Sequence, residues 1–353
     1  MVRLTLNTLT QWITAAAVTH PERLDAELMA RFGVSRRAAR RALSRLVELQ
    51  WLERQGTPRR PMYRPGMLRQ VVRRYALAGL DEDLPWAQDF APCFALPHHV
   101  NRLVQHAFCE LLNNAIDHSA GTQVTVSLRQ TSSHVQLLVS DNGCGLFQQI
   151  AQAFDICDPH LAMLELSKGK LTSQPRTHSG QGLFFTSKLA DVFDLHANEV
   201  AYQRRDWDRE GWQPRRALQH QGTSAYASFA LDTQRTLGDV RAMHSLNANS
   251  LAFESTSVAL RLMTSQRVGL ESRAQARRIF ARLDEFERAE VDFNGVGEVG
   301  HAFADELFRV LAPAAPALEL VPVNMSPAVA SMVTSVLRER ARHPPLRQSA
   351  SVV

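Results

Sequence analysis

Cysteine is scarce in this 353-residue chain: Cys93, Cys109, Cys144 and Cys157 form no C-x-x-C pair, and no nearby histidine completes a metal-ligand spacing. A disulfide scaffold and the common zinc sites are thereby excluded, and free thiols in a reducing compartment are expected. No apolar run approaches the ~20 residues of a membrane span. Nor does an uninterrupted apolar core of the signal-peptide kind open the chain, so a cytoplasmic protein with no membrane contact is expected. Residues 1–79 contain no lysine and only 5 acidic residues, against 15 arginines, whereas the remainder has 25 basic and 30 acidic side chains. A basic nucleic-acid-binding module joined to a mildly acidic body follows from that split.

What is present first is a set of helical periodicities. Apolar spacing predicts helices over Leu4 to Val18, Pro21 to Arg31 and Arg36 to Leu49, with Gly33 ending the second and Ser35 capping the third. The third helix turns Ala39, Leu43, Leu46 and Val47 inward and crowds Arg36, Arg37, Arg40, Arg41 and Arg45 on its outside. Trp51 to Arg54 and Pro61 to Arg64 read as short strands around a turn, Gln55 to Arg60, that carries Arg59 and Arg60. The pattern resembles a winged helix-turn-helix, which implies that the third helix enters the DNA major groove while the wing touches phosphate. An arginine-rich solvated face on a small dimerisation domain is the competing reading. The expected boundaries are 1–79 for this domain and 80–97 for a linker, from its acidic residues and prolines.

The most informative stretch is Glu110 to Ser119, E-L-L-N-N-A-I-D-H-S, an amphipathic helix with Glu110, Asn114 and Asp117 along one stripe. That oxygen-rich stripe suits Mg²⁺ and water. The strand-like run Val135 to Ser140 leads to Asp141-Asn142-Gly143-Cys144-Gly145; later come Ser179-Gly180-Gln181-Gly182-Leu183 before a helix, and Gln221-Gly222-Thr223 before a strand. In order and spacing these resemble the N box, two glycine boxes and terminal Gly-Thr of the GHKL family: gyrase B subunits, the heat-shock chaperone, histidine kinases and mismatch-repair MutL. The resemblance implies an α/β sandwich over residues 98–235 that binds ATP with Mg²⁺. It implies Asn114 on the metal, Asp141 on the adenine amino group, Gly143 and Gly145 shaping the base pocket, Gly180 and Gly182 meeting phosphates, and Thr223 supporting the base end. Asp117 completes the polar stripe. Glu110 takes the place of the general base in hydrolytic members, although histidine kinases have an acid there too.

Residues 146–178 occupy the position of the family's mobile lid. Within them Lys168 and Lys170 flank Gly169, placed either to meet a γ-phosphate or to form a solvated loop, and Arg176 and His178 carry the same ambiguity. His98 and His99 follow Pro97 without a surrounding helix pair, which disfavours a phosphoacceptor role.

After a linker at 236–249, residues 250–343 alternate strand, helix, strand, helix, strand, from Val258 to Met263 through helices Ser272 to Phe286 and Val296 to Leu311 to the strand Leu318 to Val323. Ser272 to Arg278, Val291 to Val296 and Gly300 to Leu307 resemble the STAS-like domain that follows a bacterial subgroup of these ATPases. No hydroxyl side chain occurs between Gly295 and Leu311, so the serine-phosphorylation switch of STAS antagonists is not available there. Docking of a protein partner remains, with Asp305 and Glu306 expected on the surface, and residues 344–353 are expected to be a disordered tail. The fold class expected is α+β multidomain. The function expected is a nucleotide-controlled DNA-binding regulator, with a protein kinase acting on a separate partner as the alternative; a homodimer is compatible with either.

Overall fold

The computed structural model describes residues 6–156, 158–171, 180–208, 211–247, 252–264 and 269–342. Cys157, Arg176, His178, Ser179 and the tail beyond Pro344 lie outside them. The chain divides into two compact units, Met1–Leu146 with Leu189–Ala201 and Ala217–Thr236, and Phe147–Lys188 with Tyr202–Arg216 and Leu237–Val353.

The first unit begins with helices α1 (Leu6–Thr19), α2 (Leu24–Phe32) and α3 (Arg36–Glu48) and a hairpin of β1 (Leu52–Thr57) and β2 (Arg60–Pro65). Gly33 takes φ 62° and ends α2 by donating to the Met29 carbonyl, and the Ser35 hydroxyl accepts the Ala38 N–H at the start of α3. Ala39, Leu43 and Leu46 are buried, as their spacing predicts. The hairpin is longer than expected: Thr57 pairs with Arg60, which shortens the turn to Pro58-Arg59 and puts Arg60 in the strand.

Two sequence expectations fail next. Strand β3 (Arg69–Ala76), assigned above to the N-terminal domain, pairs antiparallel with β4 (Gln123–Gln130) along its whole length. The central sheet therefore starts at Arg69, not after residue 97. Residues 80–97 are not a bare linker either. They contain a helical turn, α4 (Asp83–Pro85), and bury Trp86 and Phe90, whose rings lie 5.2 and 5.1 Å from Phe108. Acidic residues and prolines masked an aromatic segment that the core needs.

Helix α5 (His98–His118) buries Val104, Ala107, Phe108, Leu111 and Leu112. The strands β5 (His134–Asp141) and β9 (Thr223–Ala230) follow β4 in the sheet, and β6 (Val192–Ala197) follows β9, all antiparallel. The expected strand Val135 to Ser140 is extended by one residue at each end, so that β5 ends on Asp141.

The second unit contains α6 (Leu146–Ala153) from Phe147 on, α7 (Pro159–Lys168), most of α8 (Gly182–Leu189), and the end of β7 (Val200–Arg205), which pairs with β8 (Trp212–Pro214). Helix α9 (Leu237–Ala242) occupies part of the expected second linker and buries Val240. Strands β10 (Ser255–Ala259), β11 (Arg288–Asp292) and β12 (Glu319–Val323) form a parallel sheet. Its crossovers are α10 (Arg273–Phe280) and α11 (His301–Ala304), which runs on through a wide-turn stretch, Asp305–Leu311, into α12 (Ala312–Ala314); α13 (Pro327–Arg342) closes the described chain. Parallel strands with helical crossovers are the architecture expected of this small domain. Both crossover helices are shorter than predicted. Helix α10 ends at Phe280 because Arg282 takes φ 63°, and the second helix opens at His301.

Asp305 and Glu306 are corrected outright. Expected on the surface, they are 4% exposed, with Asp305 bound by Arg309 and Glu306 by Arg277 at 2.7 Å. Asp305 is paired within its own helical stretch and Glu306 with α10, so neither offers a docking charge.

Candidate functional site

The polar stripe of α5 stands where its spacing puts it. Glu110 lies 3.8 Å from His106 one turn earlier, Asn114 is half-buried, and Asp117 is exposed. The Asn114 amide nitrogen is buried without an acceptor among the described residues. Native interiors seldom leave such a group unmatched unless a ligand or water is to meet it. Among the described residues no group of three His, Cys, Asp or Glu side chains is placed to hold a metal. A Mg²⁺ at Asn114 would thus take most of its coordination from phosphate and water.

Asp141 is the organising node. Its carboxylate is 5% exposed and accepts the Gly143 N–H at 2.8 Å and the Thr223 N–H at 3.1 Å. Burial pushes its pKa up, opposed by those backbone N–H groups and by His220. One side chain thereby ties the first glycine box to the Gly-Thr segment, 82 residues later. Thr223 uses its hydroxyl to accept the Leu146 N–H at 2.9 Å.

The two glycines of the first box are required by packing. A β-carbon on Gly143 would come within 2.0 Å of the Ser119 carbonyl oxygen, and one on Gly145, at φ 88°, within 2.4 Å of the Asn198 amide. The box is therefore pressed against the end of the N-box helix. Asn198 was missed by sequence reasoning. It donates to the Cys144 carbonyl at 2.8 Å and accepts from the Gly222 N–H at 3.0 Å, holding both loops from a hairpin turn at φ 52°. His220, also missed, lies 3.0 Å from the Asp141 carbonyl oxygen. An Asn-Glu pair between two strands was the only sequence sign of Asn198, and it reads as an ordinary turn.

The remaining residues predicted to meet the nucleotide belong to the second unit. Gly180 takes φ 63°, and a β-carbon on it would come within 2.5 Å of the Leu171 backbone; Gly182 opens α8, where helix-start N–H groups suit a phosphate. The lysines are differently employed. Lys168 is 0% exposed; its ammonium binds Glu165 at 2.6 Å and the carbonyls of Ala281 and Arg278 at 2.7 and 3.2 Å. Lys170 donates to the Glu285 carbonyl and lies 4.2 Å from the Phe286 ring centre. Neither side chain is free for a γ-phosphate in this arrangement: the end of α10 offers unmatched carbonyls that a lysine can cap.

The arginines of α3 and the wing keep their predicted character. Arg36, Arg37, Arg40, Arg41, Arg45, Arg59 and Arg60 are all exposed. Arg36 and Arg45 have acidic neighbours at 4.0 and 3.1 Å, whereas the side chains of Arg37, Arg40, Arg41, Arg59 and Arg60 have no partner among the described residues.

The described residues thus hold a helix-turn-helix with a hairpin, an antiparallel sheet with a polar-striped helix, and a parallel three-stranded sheet. Comparison with protein families assigns each part. Residues 6–58 match bacterial regulatory proteins of the gntR family, 99–232 match the histidine kinase-, DNA gyrase B- and HSP90-like ATPase, and 275–330 match a STAS-like domain of unknown function. No curated protein matches the chain. The chain thus carries a GntR-type winged helix-turn-helix, a GHKL ATPase domain and a STAS-like domain.

Proposed function

We propose that this protein is a DNA-binding regulator whose state is set by ATP at the GHKL module. The observation that carries the coupling lies within the second unit. The stretch between the two glycine boxes, which in the family covers the nucleotide, is built into the STAS-like domain. Helix α7 buries Ala162, Met163, Leu164, Glu165 and Lys168, and Thr256 of β10 donates to the Lys168 carbonyl. Arg282 reaches Glu165 at 3.3 Å and the Lys170 carbonyl at 2.7 Å. Phe184 and Phe185 of α8 pack on Phe253 at 4.7 and 5.1 Å. Any nucleotide-dependent rearrangement of this stretch therefore moves the STAS-like domain with it.

In this reading Asp141 receives the adenine amino group, Asn114 holds Mg²⁺, Gly180 and Gly182 present N–H groups to phosphate, and Glu110 orients and deprotonates the attacking water. Bound Mg²⁺ supplies charge neutralisation to the triphosphate. ATP must bind the two arrangements with different affinity for the coupling to exist. The test is DNA affinity of the full chain with and without saturating Mg–ATP, beside phosphate release and protein labelling from γ-labelled ATP in the wild type and Asn114→Ala. Equal DNA affinity in both conditions would refute the coupling. Label transferred to a partner protein, lost in the variant, would favour the kinase alternative.

A further inference from the structure

We infer that the outward face of the central sheet, along β3 and β4, is a second DNA-contacting surface, which carries the contacts of α3 onto the duplex backbone beside it. The inference rests on the DNA-binding function proposed above. Strand register separates the two faces of the sheet. Arg69 and Arg73 stand opposite the buried Gln130 and Val126, face inward and take no part. Gln70, Val72 and Arg74 stand opposite Arg129, Ser127 and Thr125 and face outward, all of them exposed or half-exposed. Asp141, the node of the nucleotide residues, is on the inward face opposite Val124. Nucleotide and duplex would therefore meet opposite sides of the sheet.

The chemistry of the outward face names its partner. Among the described residues of β3, β4, β5 and β9, no outward position is Asp or Glu; the first acid on this face is Asp194 of β6, opposite Tyr226. Beyond residue 79 the chain has 30 acidic against 25 basic side chains, so an acid-free face is not its average surface. Arg74 and Arg129 are exposed, and their side chains meet no partner among the described residues. Hydroxyls and amides surround them, among them Ser127, whose hydroxyl accepts from the Gln70 amide at 3.3 Å. Arginine with Ser, Thr and Gln is the set that contacts phosphate and sugar. Phe, Tyr or Trp occurs once among these outward positions, as Tyr226, which gives no stacking platform for unpaired bases and favours a duplex. The face is also continuous with the helix. Arg41, Arg45 and Leu49 follow at i, i+4 and i+8 along the outside of α3. Leu49 lines the same cleft as Gln70, Val72 and Arg129, so the arginine stripe of α3 runs on into the outward sheet face.

The test titrates full-length protein into labelled mixed-sequence duplex DNA at a series of salt concentrations, reading fluorescence anisotropy. Arg74→Gln, Arg129→Gln and their double variant are compared with wild type and with Arg102→Gln, which removes an exposed arginine from α5, outside this face. The double variant should bind about tenfold more weakly at moderate salt, with a salt slope lower by roughly two and the single variants between. Arg102→Gln should match wild type, and ATP binding should be unchanged in all four. Circular dichroism checks that each variant folds. Wild-type affinity and slope in the double variant, or an equal loss in Arg102→Gln, would overturn the inference; the DNA-binding function survives that result if Arg40→Ala with Arg41→Ala still weakens binding. No duplex binding by the wild type even at low salt would end both.

Discussion

Two basic regions of this chain look alike on paper and behave oppositely in space. The arginines of α3 stand in solvent, five of the helix and wing without a partner among the described residues. The chain's three lysines, Lys168, Lys170 and Lys188, are engaged or partly buried. Arginine's broad, weakly hydrated fork suits phosphate and base recognition, whereas a lysine ammonium can be drawn inside as a compact point charge. Arginine thus covers the outside of α3 and the wing in the first unit, whereas lysine is drawn into the interior of the second.

The contrast is most sharply tested at Lys168. Lys168→Met leaves Glu165 with Arg282 as its remaining cation and the end of α10 uncapped, and should cost about 1–3 kcal/mol, read as a shift in the urea midpoint. A loss below about 0.5 kcal/mol would place this lysine among the surface charges. Arg40→Ala with Arg41→Ala should do the reverse: DNA binding weakens about 10- to 100-fold and its salt slope falls by roughly two, while the midpoint stays put. Unchanged DNA binding at low and moderate salt would remove the arginine half of the comparison. Asn198→Ala asks whether a neutral anchor does in the first unit what Lys168 does in the second. Losing bonds to Cys144 and Gly222 should cost about 1–2 kcal/mol and weaken ATP binding in a nucleotide titration.

The smallest effect concerns Lys188, whose ammonium lies 5.4 Å from the Phe184 ring centre and is pulled down to about 8 by burial and by Arg204. Between about 8 and the ordinary 10.5, the unfolded chain holds this proton and the folded chain does not. Stability from this group therefore rises with pH across that window. Lys188→Met should flatten that slope relative to wild type in a pH series of denaturation midpoints; an identical slope in the variant would show that the lysine is effectively solvated.

Much of the fold was legible because it rests on local rules. Gly33 and Ser35 fix the helix-turn-helix through backbone conformation and capping, and the alternation in β4 and β5 sets their buried faces. The second half of the site was harder. The Ser-Lys-Gly-Lys run has the composition of a phosphate loop, and nothing local says that α10 will end beside it. Residues 80–97 misled for the opposite reason: their prolines and acids are local, while the burial of Trp86 and Phe90 against Phe108 is not. Asp305 and Glu306 looked like a solvated face because the arginines that neutralise them include Arg277, 29 residues away from Glu306.

By itself the sequence determined the polar stripe on α5 and the glycines that let backbones meet, which follow from spacing along the chain, and the three modules and their order, which follow from motifs that resemble known families. Tertiary structure alone decided that β3 belongs to the central sheet, that Asp141 and Asn198 tie distant loops together, and that Lys168 serves the STAS-like domain. The physical reason is the same in each case: hydrogen bonding and burial are satisfied by whichever group arrives, and arrival is set by the fold, not by the neighbours in sequence.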